Sequence, residues 1–250
     1  MSALWRQAEL GGVRSRQSLP CRRAHRGIER VTYEFQFRDV LAYWPSLLDG
    51  VAMTLMLSFV AMAGGVLVGI LGAAAQLYGA RPLRLLAAGY VEAIRNTPLL
   101  IQLFIVFFGL AQIGLRLEAT VAAIVALIVN VGAYATEIVR AGLQAIPRTQ
   151  VEAGHALGLS GYQVFRHIVL VPALKMMFPA LASQFTLLLL ATSVVSLISV
   201  ADLFHTASII QSRTFRDFEV YTVIGLVYLA LALICRAGLA LIYKGAFGRR

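Results

Sequence analysis

Lysine is almost missing: Lys175 and Lys244 are the only two in 250 residues. No G-x-x-x-x-G-K-[ST] stretch occurs either, so the chain lacks the backbone cradle and lysine that hold nucleotide phosphates. Cysteine is as scarce. Cys21 lies in a basic N-terminal stretch and Cys235 in an apolar one, which excludes a disulfide framework and any cysteine-based metal spacing. His25, His155, His167 and His205 are scattered without ligand spacing. Paired carboxylates and histidine clusters are missing from the apolar runs, which argues against a membrane-embedded enzyme. Charge is sparse as well, at 14% against 59% hydrophobic residues, more apolar surface than a soluble domain of this length can bury.

The chain does have uninterrupted apolar runs, and these set its fold class: an all-α integral membrane protein with five transmembrane helices. A helix needs about 20 residues to cross the hydrocarbon core. The runs expected to do so are 51–75, 98–115, 119–136, 177–200 and 220–243. Gly65 and Gly69 in the first have the small-xxx-small spacing of close helix packing. Glu92, Arg95, Asn96 and Thr97 form a polar approach to the second. Residues 31–49, with Tyr33, Phe35, Phe37, Tyr43 and Trp44, read as an amphipathic piece at the membrane interface.

Half of the net charge of +10 lies in residues 1–30, where seven arginines outnumber Glu9 and Glu29. This tail is expected to be disordered and separate from the transmembrane domain at 31–250; it opposes the orientation read below, so either it overrides that orientation, or it is flexible enough to translocate, or translation starts later and leaves it out. No apolar h-region marks it as a cleavable signal. The remaining basic excess lies in short connections, as topology signals do, so no nucleic-acid partner is expected. Arg81, Arg84 and Arg95, then Arg140, Arg148, Arg166 and Lys175, then Lys244, Arg249 and Arg250 fall on one side. That side is read as cytoplasmic, with the C-terminus there and the N-terminus outside.

The connection 139–172 is long and patterned. A first helix is expected over about 149–157, stopped at Gly158. A second opens at Ser160, whose spacing to Gln163 is that of a capping box. The segment therefore reads as a folded helix-turn-helix knob. It resembles the cytoplasmic loop of the membrane subunits of ABC importers, whose pattern is E-A-A, three residues, Gly, nine residues, then I-x-L-P. Glu152, Ala153, Gly158, Ile168 and Leu170 match in register, Gly154 replaces the second Ala, and Pro172 falls one residue late. Three further segments are similar to the polar amino-acid uptake branch of that family: Glu92-Ala-Ile-Arg95-Asn-Thr97-Pro98-Leu-Leu-Ile-Gln102, Ala133-Tyr134-Ala-Thr-Glu137-Ile-Val-Arg140-Ala-Gly142, and Thr192-Ser193 through Asp202-Leu203. The Lys-Asp that commonly precedes the last is Leu190-Ala191 here, and Asn96 stands where Gly is usual.

The resemblance implies a type I ABC importer permease in an inner membrane, carrying a polar amino acid or similar small solute. It implies that Glu152 to Gly158 dock on a cytoplasmic ABC ATPase subunit that holds ATP and Mg, while this chain binds no cofactor. A second permease copy or paralogue and an external solute-binding protein complete the implied assembly. Polar residues inside apolar runs are the candidates for the solute pathway: Gln102, Asn130, Gln184, Thr192, Ser193 and Ser196, each also explicable as an interhelical hydrogen-bonding group. Glu92 with Arg95 and Glu137 with Arg140 are each three apart on one helix face and read as boundary ion pairs or gate elements. The competing reading is an ion-coupled secondary transporter, which would favour carboxylates at mid-membrane.

Overall fold

A computed structural model of the protein describes residues 35–248. The basic tail at 1–30 and the two C-terminal arginines lie outside the described residues. The helices, in chain order, are α1 (Phe37–Leu41), α2 (Trp44–Tyr78), α3 (Arg81–Arg95), α4 (Leu99–Gln112), α5 (Ala119–Gln144), α6 (Arg148–Ala156), α7 (Gly161–Ile198), α8 (Leu203–Thr214) and α9 (Asp217–Phe247). Four of them, α2, α5, α7 and α9, are long and apolar enough to cross a bilayer; α3 and α4, which meet at a 110° bend, are so only when taken together as one broken span.

These four are longer than their apolar runs, because helix continues into flanking residues that lipid does not require. The first run, 51–75, sits in a helix that begins at Trp44, with Pro45 in its opening turn where a missing N–H does no harm. Residues 44–49 are thus continuous with the helix of the first span. The third, 119–136, continues to Gln144 and carries Glu137 and Arg140 on its last turns. The fifth, 220–243, runs from Asp217 to Phe247.

Two larger departures have local causes. Arg81–Arg95, read as a connection, is helical, and the helix in the second run covers Leu99–Gln112, set at 110° to it, instead of 98–115. Pro98 disfavours the helical region at Thr97 and removes an N–H, so the chain must turn there. The Asn96 side-chain amide closes α3 by donating to the Glu92 carbonyl at 2.8 Å. The fourth span, expected at 177–200, begins sixteen residues earlier at Gly161 and is continuous with the second helix of the knob. Pro172 has no N–H for the carbonyl four residues back, and a π-helical stretch over Val164–Val169 absorbs the mismatch. Helix α8 falls where only a loop was expected, since twelve residues are too few to register as a span.

Packing is organised around α2 and α5. Gly65 and Gly69 face α5: a Cβ on Gly65 would run into Val131, and one on Gly69 would lie 2.5 Å from the Ala135 Cβ. The small-residue spacing therefore serves close approach of the two backbones. Leu57, Leu103, Leu127, Val131 and Leu188 make the core where α2, α4, α5 and α7 meet. Leu47, Leu189, Leu203, Ile210 and Val220 make another between α2, α7, α8 and α9. A smaller cluster of Ala73, Val139, Ile146, Ala173 and Met177 ties the knob end of the bundle together.

Candidate functional site

The knob is built from two helix ends that are both satisfied. At the C-terminus of α6, Gly158 takes φ +78°, its N–H donates to the His155 carbonyl at 2.9 Å, and the Leu159 N–H donates to the Gly154 carbonyl at 3.2 Å. These are the paired bonds of a Schellman cap. At the start of α7, the Ser160 N–H donates to Gln163 Oε1 at 2.8 Å and the Gln163 N–H donates to Ser160 Oγ at 3.4 Å, the reciprocal capping box. Gly154 is buried, and a Cβ there would collide with Ile168 Cδ1 and lie 3.1 Å from Val164 Cγ2. The replacement of Ala by Gly thus lets α6 seat closely on the π stretch, bringing motif positions 154 and 168 into contact. Glu152 and Ala153 face away from this contact and are exposed, Leu157 is 80% exposed and Tyr162 68%. Leu170 and Pro172 are half-buried along the base of α7.

The two acid-base pairs do not behave alike. Arg140 grips the Glu137 carboxylate with two N–H groups and donates a third bond to Gln144 Oε1 at 2.6 Å. Glu92 and Arg95 form no ion pair; the Arg95 guanidinium instead lies over the Tyr134 ring, 5.5 Å from its centroid. All four charged residues line one open cavity of about 470 Å³ between α3 and α5, together with Gln76, Asn96 and Tyr134. Residues separated by some forty positions are thereby gathered into a site that offers two guanidiniums and two carboxylates. Tyr134 and Gln76 were not expected there: a cation-π contact between 95 and 134 has no local sequence signal.

The polar residues inside the spans divide by what they already bond. Gln102 is 7% exposed; its amide donates to the Ile94 carbonyl at 2.8 Å, the Thr97 carbonyl at 3.0 Å and Thr97 Oγ1 at 2.9 Å. Its Oε1 accepts from Asn130 Nδ2 at 2.9 Å. Together Gln102 and Asn130 hold the bend between α3 and α4 and pin it to α5. Thr192 donates to the Leu189 carbonyl at 2.8 Å, Ser193 to Leu190 at 2.8 Å and Ser196 to Ser193 at 2.7 Å, within the 3₁₀ end of α7. Gln184 is half-buried and makes no side-chain hydrogen bond among the described residues.

A buried polar node lies away from both sites. Asp202, read from sequence as a loop residue, is fully buried and caps α8 by accepting from the His205 N–H at 2.9 Å. The Tyr228 hydroxyl of α9 donates to its other oxygen at 3.4 Å, and the Leu203 N–H donates to Thr54 Oγ1 of α2 at 3.2 Å. The node ties α2, α8 and α9 together at the end of α7.

A bundle of long apolar helices, a doubly capped helix-turn-helix knob and a charged inter-helix cavity together fit the class of membrane transport subunits. The chain belongs to the family described as binding-protein-dependent transport system inner membrane component, whose sequence model matches residues 65–246. It is 36% identical over 197 residues to the probable glutamine ABC transporter permease protein GlnM of Bacillus subtilis, covering 79% of this chain and 91% of that one. It is 34% identical over 201 residues to the glutamine transport system permease protein GlnP of Escherichia coli K12, covering 78% and 92%. Among solved structures, that titled "Crystal structure of an amino acid ABC transporter with histidines" superposes with a TM-score of 0.80 at 38% identity, covering 85% of this chain and 99% of the other. The protein is thus a permease subunit of an ABC importer, not a secondary transporter and not an enzyme.

Proposed function

We propose that this chain forms the translocation pathway for a polar amino acid, driven through its knob by a separate ATPase subunit. The amino-acid reading is supported by relatives named for glutamine, arginine and L-cystine transport. The observation that carries it on this chain is the cavity of Glu92, Arg95, Glu137 and Arg140. An amino acid presents one carboxylate and one ammonium, and a cavity with both signs of charge within its walls can meet both ends. Arg95, held by an aromatic face and not by a carboxylate, is the group free to accept the solute's carboxylate. Gln184, with its amide unspent, and the half-buried Ser193 and Ser196 are candidates to line the route above it. Thr192, Gln102 and Asn130 support the helices that form the route.

The ATPase would dock on the exposed face of the knob: Glu152, Ala153 and Leu157, with Gly158 fixing the bend. ATP and Mg would be held by that partner. A second permease, identical or paralogous, and an external solute-binding protein complete the assembly, in an orientation with the knob and C-terminus cytoplasmic and the N-terminus outside. The basic connections support that orientation.

The test is reconstitution of the complete transporter in liposomes with its binding protein. Arg95→Gln should raise the KM for uptake while leaving ATPase coupling and the purified yield unchanged. Glu152→Lys should abolish solute-stimulated ATP hydrolysis while leaving membrane insertion intact. Uptake kinetics indifferent to Arg95→Gln would remove the cavity from the pathway; coupled hydrolysis in Glu152→Lys would remove the knob from the drive.

A further inference from the structure

A second cavity, of about 620 Å³, opens between α7 and α9 and takes no part in the reading above. Its walls are mostly apolar: Phe178, Pro179, Ala182 and Leu187 from α7, with Leu239, Ala240 and Tyr243 from α9. Two cations border it, Arg236 and Lys244, and neither has an ion-pair partner among the described residues. Ser183 and Thr186 line the same groove. At its end, Phe178, Tyr243 and Phe247 stack with centroids 5.4 to 6.2 Å apart.

The placement of these groups sets what can fill the groove. Only 6% of the apolar window of α9 is buried within the chain, against 50% for α5, so α9 is the peripheral span. The groove runs along α7 from its middle, at Phe178, to Leu187, and along the C-terminal half of α9 from Arg236 to Lys244, with the Phe178 and Tyr243 end the nearer to the knob along α7. Aromatic residues with a neighbouring lysine mark the level of lipid headgroups. Arg236, two turns below Lys244, is at a depth from which a guanidinium reaches the interface by extending along its apolar stem. An occupant must therefore combine a long apolar body with an anionic head that takes two cations.

We infer that this groove binds an anionic phospholipid, with an acyl chain along Ala182, Leu187 and Ala240 and the phosphate between Arg236 and Lys244. Arg236 supplies the directional N–H pair that suits phosphate oxygens, and Lys244 a point charge. Basic pockets between spans on one membrane face recognise charged headgroups in this way. The inference rests on the membrane-spanning reading but not on the solute or the ATPase.

The test uses the full chain within its transporter, in nanodiscs containing one part phosphatidylglycerol to nine parts phosphatidylcholine with identical acyl chains. After mild detergent extraction, native mass spectrometry counts retained lipids. The wild type should retain phosphatidylglycerol in preference to phosphatidylcholine. Arg236→Gln or Lys244→Gln should each weaken retention about fivefold, and the pair about 25-fold, from the usual attraction per basic residue. Arg84→Gln, outside the groove, should change nothing. Ala240→Trp keeps both charges but fills the groove, and should also lose the lipid; Arg236→Lys should keep most of it. Equal retention of both headgroups, retention unaffected by the double substitution, or retention that survives Ala240→Trp would each overturn the site. So would a disulfide from Ala240→Cys to another subunit, which would show protein in the groove.

Discussion

Replacing Gly158 by alanine probes the knob without touching anything it contacts. A Cβ at this position meets nothing within 4 Å, so sterics between side chains are not at issue. The cost is conformational: φ +78° lies in the left-handed region, which an L-residue other than Gly occupies at about 1–2 kcal/mol. If the substituted residue resists that conformation, the Schellman bonds from Gly158 and Leu159 to the α6 carbonyls open first. Local opening free energy falls by the same amount, which corresponds to about 5- to 30-fold faster amide exchange across 148–160. Hydrogen exchange by mass spectrometry on the protein in nanodiscs reads this directly, with the bundle peptides as internal reference. Asn tolerates the left-handed region, so Gly158→Asn should accelerate exchange by less than about fivefold. Exchange unaltered in Gly158→Ala, or equally fast in Gly158→Asn, would refute the argument that φ at this residue governs the knob.

Other outcomes follow from the packing. Gly154→Leu should detach α6 from α7, and adding Ile168→Ala should restore part of the loss, giving a coupling of about 0.5–3 kcal/mol in a double-mutant cycle of thermal unfolding. Asn130→Leu leaves the Gln102 oxygen buried without its donor and should destabilise the solubilised protein by about 1–2 kcal/mol, seen as a lowered Tm. Gly65→Leu, which drives a side chain into Val131, should abolish monodisperse protein on size-exclusion chromatography, whereas Gly89→Leu, in open space, should not.

How much of this was legible in the sequence depends on the range of the interaction. Apolar runs announced the spans because lipid exposure leaves a continuous signal, yet most of their ends were read short, since helix continues where hydropathy stops, while those at 115 and 200 were read a few residues long. Pro98 was visible, but that the segment before it would be helical and bent away was not, because Arg81, Arg84 and Arg95 resemble connection residues. The caps at Gly158 and Ser160 were readable since they depend on residues a few positions apart. Gly154 departs from the motif for a reason that is tertiary, the Ile168 side chain packed against it. The charged cavity was only half readable: each pair shows its i, i+3 spacing, while the meeting of α3 with α5 and the seat of Arg95 on Tyr134 belong to tertiary structure. Asp202 lies between helices as read, but its burial was not legible, because the Tyr228 hydroxyl that reaches it comes from a residue remote in sequence.

The most direct measurement is proximity between the knob and the motor. With Ala153→Cys in the otherwise active transporter and a cysteine scanned across the ATPase surface, oxidation should yield one dominant inter-subunit disulfide whose yield changes when ATP is bound. A cysteine at residue 153 that forms no bond to the ATPase at any scanned position, or that reacts with impermeant reagents from outside sealed cells, would contradict the account.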